Sequence, residues 1–274
     1  MLAKIKHVAI SSDNYAQLGR FYQALFGLTT SANARPEAAY VLSDGYVGFN
    51  INPRMVGCVA RLDHFGFEVS DPEAIYVRCR EAYPTIGFLK RPSTRPFAGV
   101  TMHDPAGNYF DLSYQKLDHR MDVYADEALA GQQHARRIHH FQLRVMDAPA
   151  VARFYRDVFE LTELPKAPDD PSCYLTDGVV TMIVTPWRIE DFGGSNAEAP
   201  AMDHLSFVVE SVEQFDADLK RLVARNHVLV PKPWRGEGEG ASRLALLQTC
   251  HYGCYQLTDP DGTLLDVVEG ERGA

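Results

Sequence analysis

Four histidines stand in strand-like stretches where every second residue is apolar. In Asp203-His204-Leu205-Ser206-Phe207-Val208-Val209, side-chain alternation sends Leu205, Phe207 and Val209 one way and His204 and Ser206 the other. Asp63-His64-Phe65-Gly66-Phe67-Glu68-Val69 repeats the arrangement, and His7-Val8-Ala9-Ile10 and His140-Phe141-Gln142-Leu143 open the two halves of the chain in the same manner. Two carboxylates are placed alike: Asp111 between Phe110 and Leu112, and Asp266 between Leu265 and Val267. Each half thus offers two imidazoles and one carboxylate on the face opposite its bulky apolar residues. Such a donor set suits a divalent first-row metal, and three protein ligands leave coordination positions for a substrate or O₂.

The elements that position these residues are duplicated. Arg20-Phe21-Tyr22 returns as Arg153-Phe154-Tyr155, His7 as His140, and Asp44-Gly45 as Asp177-Gly178, all 133 positions apart. The spacing widens further along: His64 to His204 is 140, and Asp104-Pro105-Ala106-Gly107 to Asp259-Pro260-Asp261-Gly262 is 155. The extra residues fall in Ile189–Pro200 and in the Pro/Gly-rich Pro231–Gly240, where loops are expected.

Each half divides again. In the first, a strand at Ile5–Ser11 precedes a helix from about Asp13 carrying Phe21, Leu25 and Leu28, and two strands then flank the Asp44-Gly45 turn. After Asn52-Pro53 the order restarts with a strand at Arg61–Ser70, a helix from Pro72 to Tyr83, and strands ending in Thr101–His103 and Asn108–Tyr114. The second half repeats this, with helices near Ala148–Phe159 and Val212–Ala224. The fold class is α+β, built of four tandem βαβββ modules in two pairs. The expected domains are 1–116 and 137–274, joined by a polar linker over 117–136 with a short helical pattern at Tyr124–Ala130.

Composition narrows the function classes. A net charge of −9 without any Lys/Arg-rich run argues against a nucleic-acid binder. No apolar run reaches membrane-spanning length. Met1 to His7 leads directly into a strand pattern, not a secretory signal, and five cysteines lack framework spacing, so a cytoplasmic protein with reduced thiols is expected. Cys250 and Cys254 lack a zinc-motif context and read as partly buried thiols.

The strand histidine before a helix with Phe-Tyr, the Asp-His-x-x-Phe strand and the Asp-Pro-x-Gly turn followed by an acid together resemble the vicinal oxygen chelate superfamily. That superfamily includes glyoxalase I, bleomycin-resistance proteins, epimerases and type I extradiol dioxygenases. The resemblance covers nearly all of the chain except the linker. It implies that each module pair forms a curved, half-open mixed sheet cupping a metal, with ligands His7, His64 and Asp111 or His140, His204 and Asp266. Asp111 and Asp266 stand where the family usually has Glu, one methylene longer. The strands Tyr46–Ile51 and Val179–Val184 lack the fourth, glutamate ligand of glyoxalase I-like members, offering only Asn50 as a weak substitute.

Three ligands favour the iron-dependent facial triad over the glyoxalase branch. The first expectation is therefore an extradiol-type ring-cleaving dioxygenase that uses Fe(II) on a catecholic small molecule. Manganese, zinc and nickel are the alternative metals. Against it, Val179–Val184 supplies no acid–base histidine. His251 and Tyr255, close to the last turn, are the candidate catalytic residues. The rivals are a glyoxalase- or epimerase-like isomerase or lyase, which a fourth ligand would support, and a non-enzymatic small-molecule binder. Tyr22 and Tyr155 read as core residues, and Trp234-Arg235 as a loop at a cavity mouth. A homo-oligomer is left open.

Overall fold

The computed structural model describes residues 2–31, 39–92, 97, 99–114, 117–120, 136–189, 200–233, 248, 250 and 252–270. The first half forms one mixed sheet from β1 (Ala3–Ser12), β2 (Thr29–Thr30), β3 (Tyr40–Ser43), β4 (Gly48–Pro53), β5 (Arg61–Val69), β6 (Phe88–Lys90), β7 (Val100–His103) and β8 (Tyr109–Ser113). Their order is β2-β3-β4-β1-β5-β8-β7-β6. The second half repeats it with β9 (Arg137–Val145), β10 (Thr162–Glu163), β11 (Cys173–Thr176), β12 (Thr181–Pro186), β13 (Ala201–Val209), β14 (Tyr255–Thr258) and β15 (Leu264–Glu269), in the order β10-β11-β12-β9-β13-β15-β14.

In both sheets the first strands of the two modules lie side by side and antiparallel, β1 on β5 and β9 on β13. Each is flanked by the parallel last strand of its own module, β4, β8, β12 or β15. The histidine strands are therefore central, and the Asp111 and Asp266 strands stand immediately beside them.

Among the described residues, four helices cover the apolar faces: α1 (Tyr15–Phe26), α2 (Pro72–Ala82), α3 (Ala148–Phe159) and α4 (Val212–Arg225). Asp71, Asp147 and Ser211 cap the last three by accepting a backbone N–H from the first turn. Leu28, expected on the first helix, lies beyond its end. Gly27 adopts a left-handed conformation (φ 70°) and its N–H closes on the Gln23 carbonyl, which terminates the helix at Phe26. Tyr124–Ala130 lies outside the described residues. Among those that are described, no helix is long and apolar enough to cross a membrane.

The two halves lock together through equivalent contacts. Asp44 of the first hairpin accepts the Ile138 N–H at 2.7 Å, and Asp177 of the second accepts the Ile5 N–H at 2.6 Å. Tyr22 donates to Asp259 at 2.9 Å, and Tyr155 to Asp104 at 3.0 Å. Phe26 stacks on Phe207, and Phe67 on Phe159. The aromatic residues of each half's first helix thus pack against the other half, giving one continuous core of buried side chains.

Candidate metal centres

The pleat delivers what the alternation promised. In the second half, His140 and His204 project from adjacent strands with their Nε2 atoms 3.2 Å apart, both fully buried. Asp266 comes from the neighbouring strand. Gln256 Nε2 and the Val267 N–H bond its Oδ1 at 3.0 and 3.1 Å, whereas the buried Oδ2 has no hydrogen-bond partner. Gly253 permits this: a Cβ there would stand 1.8 Å from Oδ2.

Cys250 joins the group, its Sγ 3.5 Å from His140 Nε2. Donor atoms of His140, His204, Cys250 and Asp266 all lie within 4.8 Å of one another. An unpaired buried carboxylate oxygen is costly, and a cation between these donors would satisfy it.

The surroundings orient the donors. Asp203 Oδ2 lies 3.5 Å from His204 Nδ1, a charge contact without a hydrogen bond, and accepts from Arg144 Nε at 2.8 Å and Gln142 Nε2 at 3.2 Å. A carboxylate behind Nδ1 turns Nε2 toward a metal. Burial alone would lower the His204 pKa, but Asp203 and Cys250 outweigh it and raise it to about 10. Burial, reinforced by His204 and His139, holds His140 far below its ordinary value and therefore neutral. Its Nδ1 lies 2.7 Å from Nδ1 of His139, itself lowered to about 4 by burial and Arg137. With Nδ1–H donating there, Nε2 presents its lone pair to the cluster. Desolvation raises the Asp266 pKa, outweighing the opposing charge of His204 and the hydrogen bonds from Gln256 and the Val267 N–H.

Beside the cluster opens a cavity of about 400 Å³ whose walls include Gln142, Arg144, Asp170, Tyr174, Thr185 and Cys250. Gln142 and Arg144 share the His140 face of β9. The Tyr252 ring packs against those of His140 and Tyr174, with centroids 5.7 and 5.3 Å away.

The first half brings His7, His64 and Asp111 together just as closely, with His7 and His64 Nε2 3.1 Å apart and His64 Nε2 3.3 Å from Asp111 Oδ2. Its surroundings differ. Arg120, 1% exposed, donates from Nη1 to His7 Nδ1 at 3.0 Å and to Asn50 Oδ1 at 3.1 Å, and pairs with the buried Asp118. Phe97 stacks on the His7 ring, and the Arg120 guanidinium lies over the Phe97 ring, 4.5 Å from its centroid.

Gly48 and Gly66 make this room: a Cβ would come within 2.2 Å of Arg120 at Gly48 and 2.6 Å of Phe97 at Gly66. Their counterparts in the repeat are Thr181 and Ser206. Because arginine only donates, His7 Nδ1 must accept, and a neutral ring then carries its proton on Nε2, where a metal would need a lone pair. His7 is held well below its ordinary pKa by burial and by the charges of Arg120 and His64. His64 is raised to about 9, Asp111 and Asp63 outweighing the burial that would lower it. The donor set of the second cluster fits a divalent metal; the first, as arranged, is satisfied internally.

Two expected residues need correction. Tyr255 points away from the cluster: its hydroxyl donates to Asp216 on α4 at 2.9 Å and its ring packs on Phe215. Alternation gives the inner face to the next residue, Gln256. Asn50, read as a weak fourth ligand, instead binds Arg120. His251 and Trp234-Arg235 lie outside the described residues. Cys250, Gly253 and Arg120 were not legible as site residues. The one available signal was the chain proximity of Cys250 to the last turn.

Residues 137–267 match the family model of the Glyoxalase/Bleomycin resistance protein/Dioxygenase superfamily. The match spans the second half of the chain, whose fold is consistent with that superfamily. No curated protein matches it in sequence. Among solved structures, the 2,3-dioxygenase LapB from Pseudomonas sp. KL28 superposes with a TM-score of 0.64 at 17% identity, covering 98% of this chain and 92% of LapB. The Mn(II)-bound glyoxalase from Novosphingobium aromaticivorans gives 0.63 at 15% identity, covering 98% and 82%. An extradiol ring-cleaving dioxygenase from B. fuscum gives 0.61 at 17%, covering 99% and 72%. At these identities the superfamily likeness establishes a shared fold, on which different chemistries occur.

Proposed function

We propose that this protein is a metal-dependent enzyme working in its second half, and that an extradiol-type ring cleavage of a catecholic substrate is its reaction. The observation that carries the reading is the convergence of His140, His204 and the unpartnered Asp266 Oδ2 in one buried group with Cys250, which lines the neighbouring cavity. His140, His204 and Asp266 would hold the metal, Fe(II) by the facial-triad donor set. When bound, it would supply a Lewis acid that chelates two vicinal oxygens and lowers their pKa.

The chain's own residues do the rest. Asp203 stands behind the His204 ring as a charge at 3.5 Å, and Gln256 fixes the Asp266 carboxylate. Gln142 and Arg144 line the cavity wall, whose polar character would orient a polar substrate and raise its effective concentration beside the metal. His251, in chain between the cavity residue Cys250 and the His140-packed Tyr252, is the candidate for moving a substrate proton. Burial raises the Tyr252 pKa, so its hydroxyl stays protonated as a donor.

A second reading, a glyoxalase- or epimerase-like isomerase or lyase, is favoured by Cys250 as a fourth donor. Protein reconstituted anaerobically with Fe(II) and offered a panel of catechols separates the two. O₂ uptake with ring-opened product supports the dioxygenase. Its absence for every catechol, with the metal bound, supports the isomerase or lyase.

A further inference from the structure

We propose that the Cys250 thiolate is a direct fourth ligand of the second-half metal, making that site a two-histidine, one-carboxylate, one-thiolate centre. The inference rests on the second-half metal site proposed above and adds to it the chemical character of the site. Three observations support it. Cys250 Sγ approaches His140 Nε2 to 3.5 Å while the two imidazole nitrogens stand 3.2 Å apart. Bonds of about 2.0–2.1 Å to imidazole and about 2.3 Å to thiolate, at tetrahedral angles, set N···N near 3.3 Å and N···S near 3.6 Å. These two separations match those of a shared tetrahedral centre, and all four donors lie within 4.8 Å of one another.

Asp266, fully buried, has an oxygen without a hydrogen-bond partner in the same group. Gln256 and the Val267 N–H both bond the other oxygen, Oδ1. Gly253, three residues after Cys250, has its N–H on the Cys250 carbonyl at 3.3 Å and no Cβ to separate the two donors. The turn therefore brings sulfur and carboxylate into one space.

The first-half cluster, His7, His64 and Asp111, has no sulfur donor among the described residues. A thiolate is a soft ligand, so it shifts the second site's preference toward zinc, cobalt and other thiophilic divalent ions and away from manganese and magnesium. It also occupies a position that a three-ligand centre would leave to substrate, and so bears on which reaction the site supports.

Cobalt(II) is the probe that reads this without turnover. The apo chain is titrated with Co(II), and bound metal is counted while the near-ultraviolet thiolate-to-cobalt charge-transfer absorption and the visible d–d bands are recorded. Wild type is expected to bind cobalt with the charge-transfer band. Cys250→Ser should bind cobalt without it and lose at least about tenfold in zinc affinity, the lower end of what removal of an outer-sphere partner costs. Cys254→Ser should keep the band, because Cys254 Sγ instead donates to the Val267 carbonyl at 3.1 Å. Cobalt bound in wild type with d–d bands alone, or a band that survives Cys250→Ser, would overturn the thiolate ligand and leave the metal site standing. Failure of wild type to bind cobalt or zinc at all would overturn the metal site and this inference together.

Discussion

A histidine becomes a ligand through what sits behind it. His204 has Asp203 at its Nδ1, and Asp203 is itself anchored by Arg144 and Gln142. His7 has an arginine at the same nitrogen. Both stood in equivalent sequence patterns, and alternation put both on the inner face, yet the group behind the ring decides which lone pair is available. Asp203→Asn keeps the size and removes the charge that orients His204 and raises its basicity. It should lower metal affinity by about 10–100-fold, read by competition with a chromophoric chelator. An unchanged affinity would mean that His204 is not held through Asp203. Tyr255 shows the opposite limit of residue-level reading: it was one position from the inner-facing Gln256, and in a strand one position is the other side of the sheet.

At the scale of elements, the four βαβββ modules, their turns and both histidine–aspartate clusters were legible, because each depends on local periodicity repeated in register. What was not legible depends on segments meeting from afar. Arg120 lies 113 residues from His7 in sequence, in a stretch that read as a polar linker, and nothing in its composition announces a buried guanidinium. The clues were negative ones, Gly48 and Gly66 where the second half has Thr181 and Ser206. Arg120 and Asp118 form a buried pair, so removing one partner strands a charge. Arg120→Met should destabilise the protein by about 3–5 kcal/mol in urea unfolding, and Arg120→Met with Asp118→Leu should recover most of the loss. Equal stability of the single variant and wild type would show the pair to be solvated. Cys250 escaped for a related reason: a loop thiol has no periodicity, and only closure of the turn at Gly253 sets it beside Asp266.

At the scale of the molecule, the two halves interlock through equivalent contacts. The first helix of each half lodges its tyrosine on the Asp-Pro-x-Gly turn of the other. This explains why Tyr22 and Tyr155 are core residues with a polar tip in use. The carboxylate under Tyr22 carries a cost. Burial raises the Asp259 pKa to about 6, above its ordinary value of 3.8, despite the hydrogen bonds from Thr263 and Tyr22.

The folded state therefore retains a proton that the unfolded chain releases, and unfolding sheds it between about pH 4 and 6. Stability from this group falls as pH rises through that window, by on the order of 3 kcal/mol in full. Asp259→Asn retains the acceptor for the turn N–H groups and should flatten that part of the pH–stability profile, measured by urea unfolding at successive pH values. A profile that keeps its slope would place the titration elsewhere.

The central claim is that two clusters of one sequence pattern have diverged, so that the metal belongs to the second half alone. Metal per chain, determined by elemental analysis on untagged protein purified anaerobically, tests it most directly when His204→Ala and His64→Ala are carried alongside. The account predicts one metal per chain in wild type, none in His204→Ala and an undiminished one in His64→Ala. Two metals in wild type, or loss with His64→Ala and retention with His204→Ala, would contradict it, and so would no metal even after reconstitution.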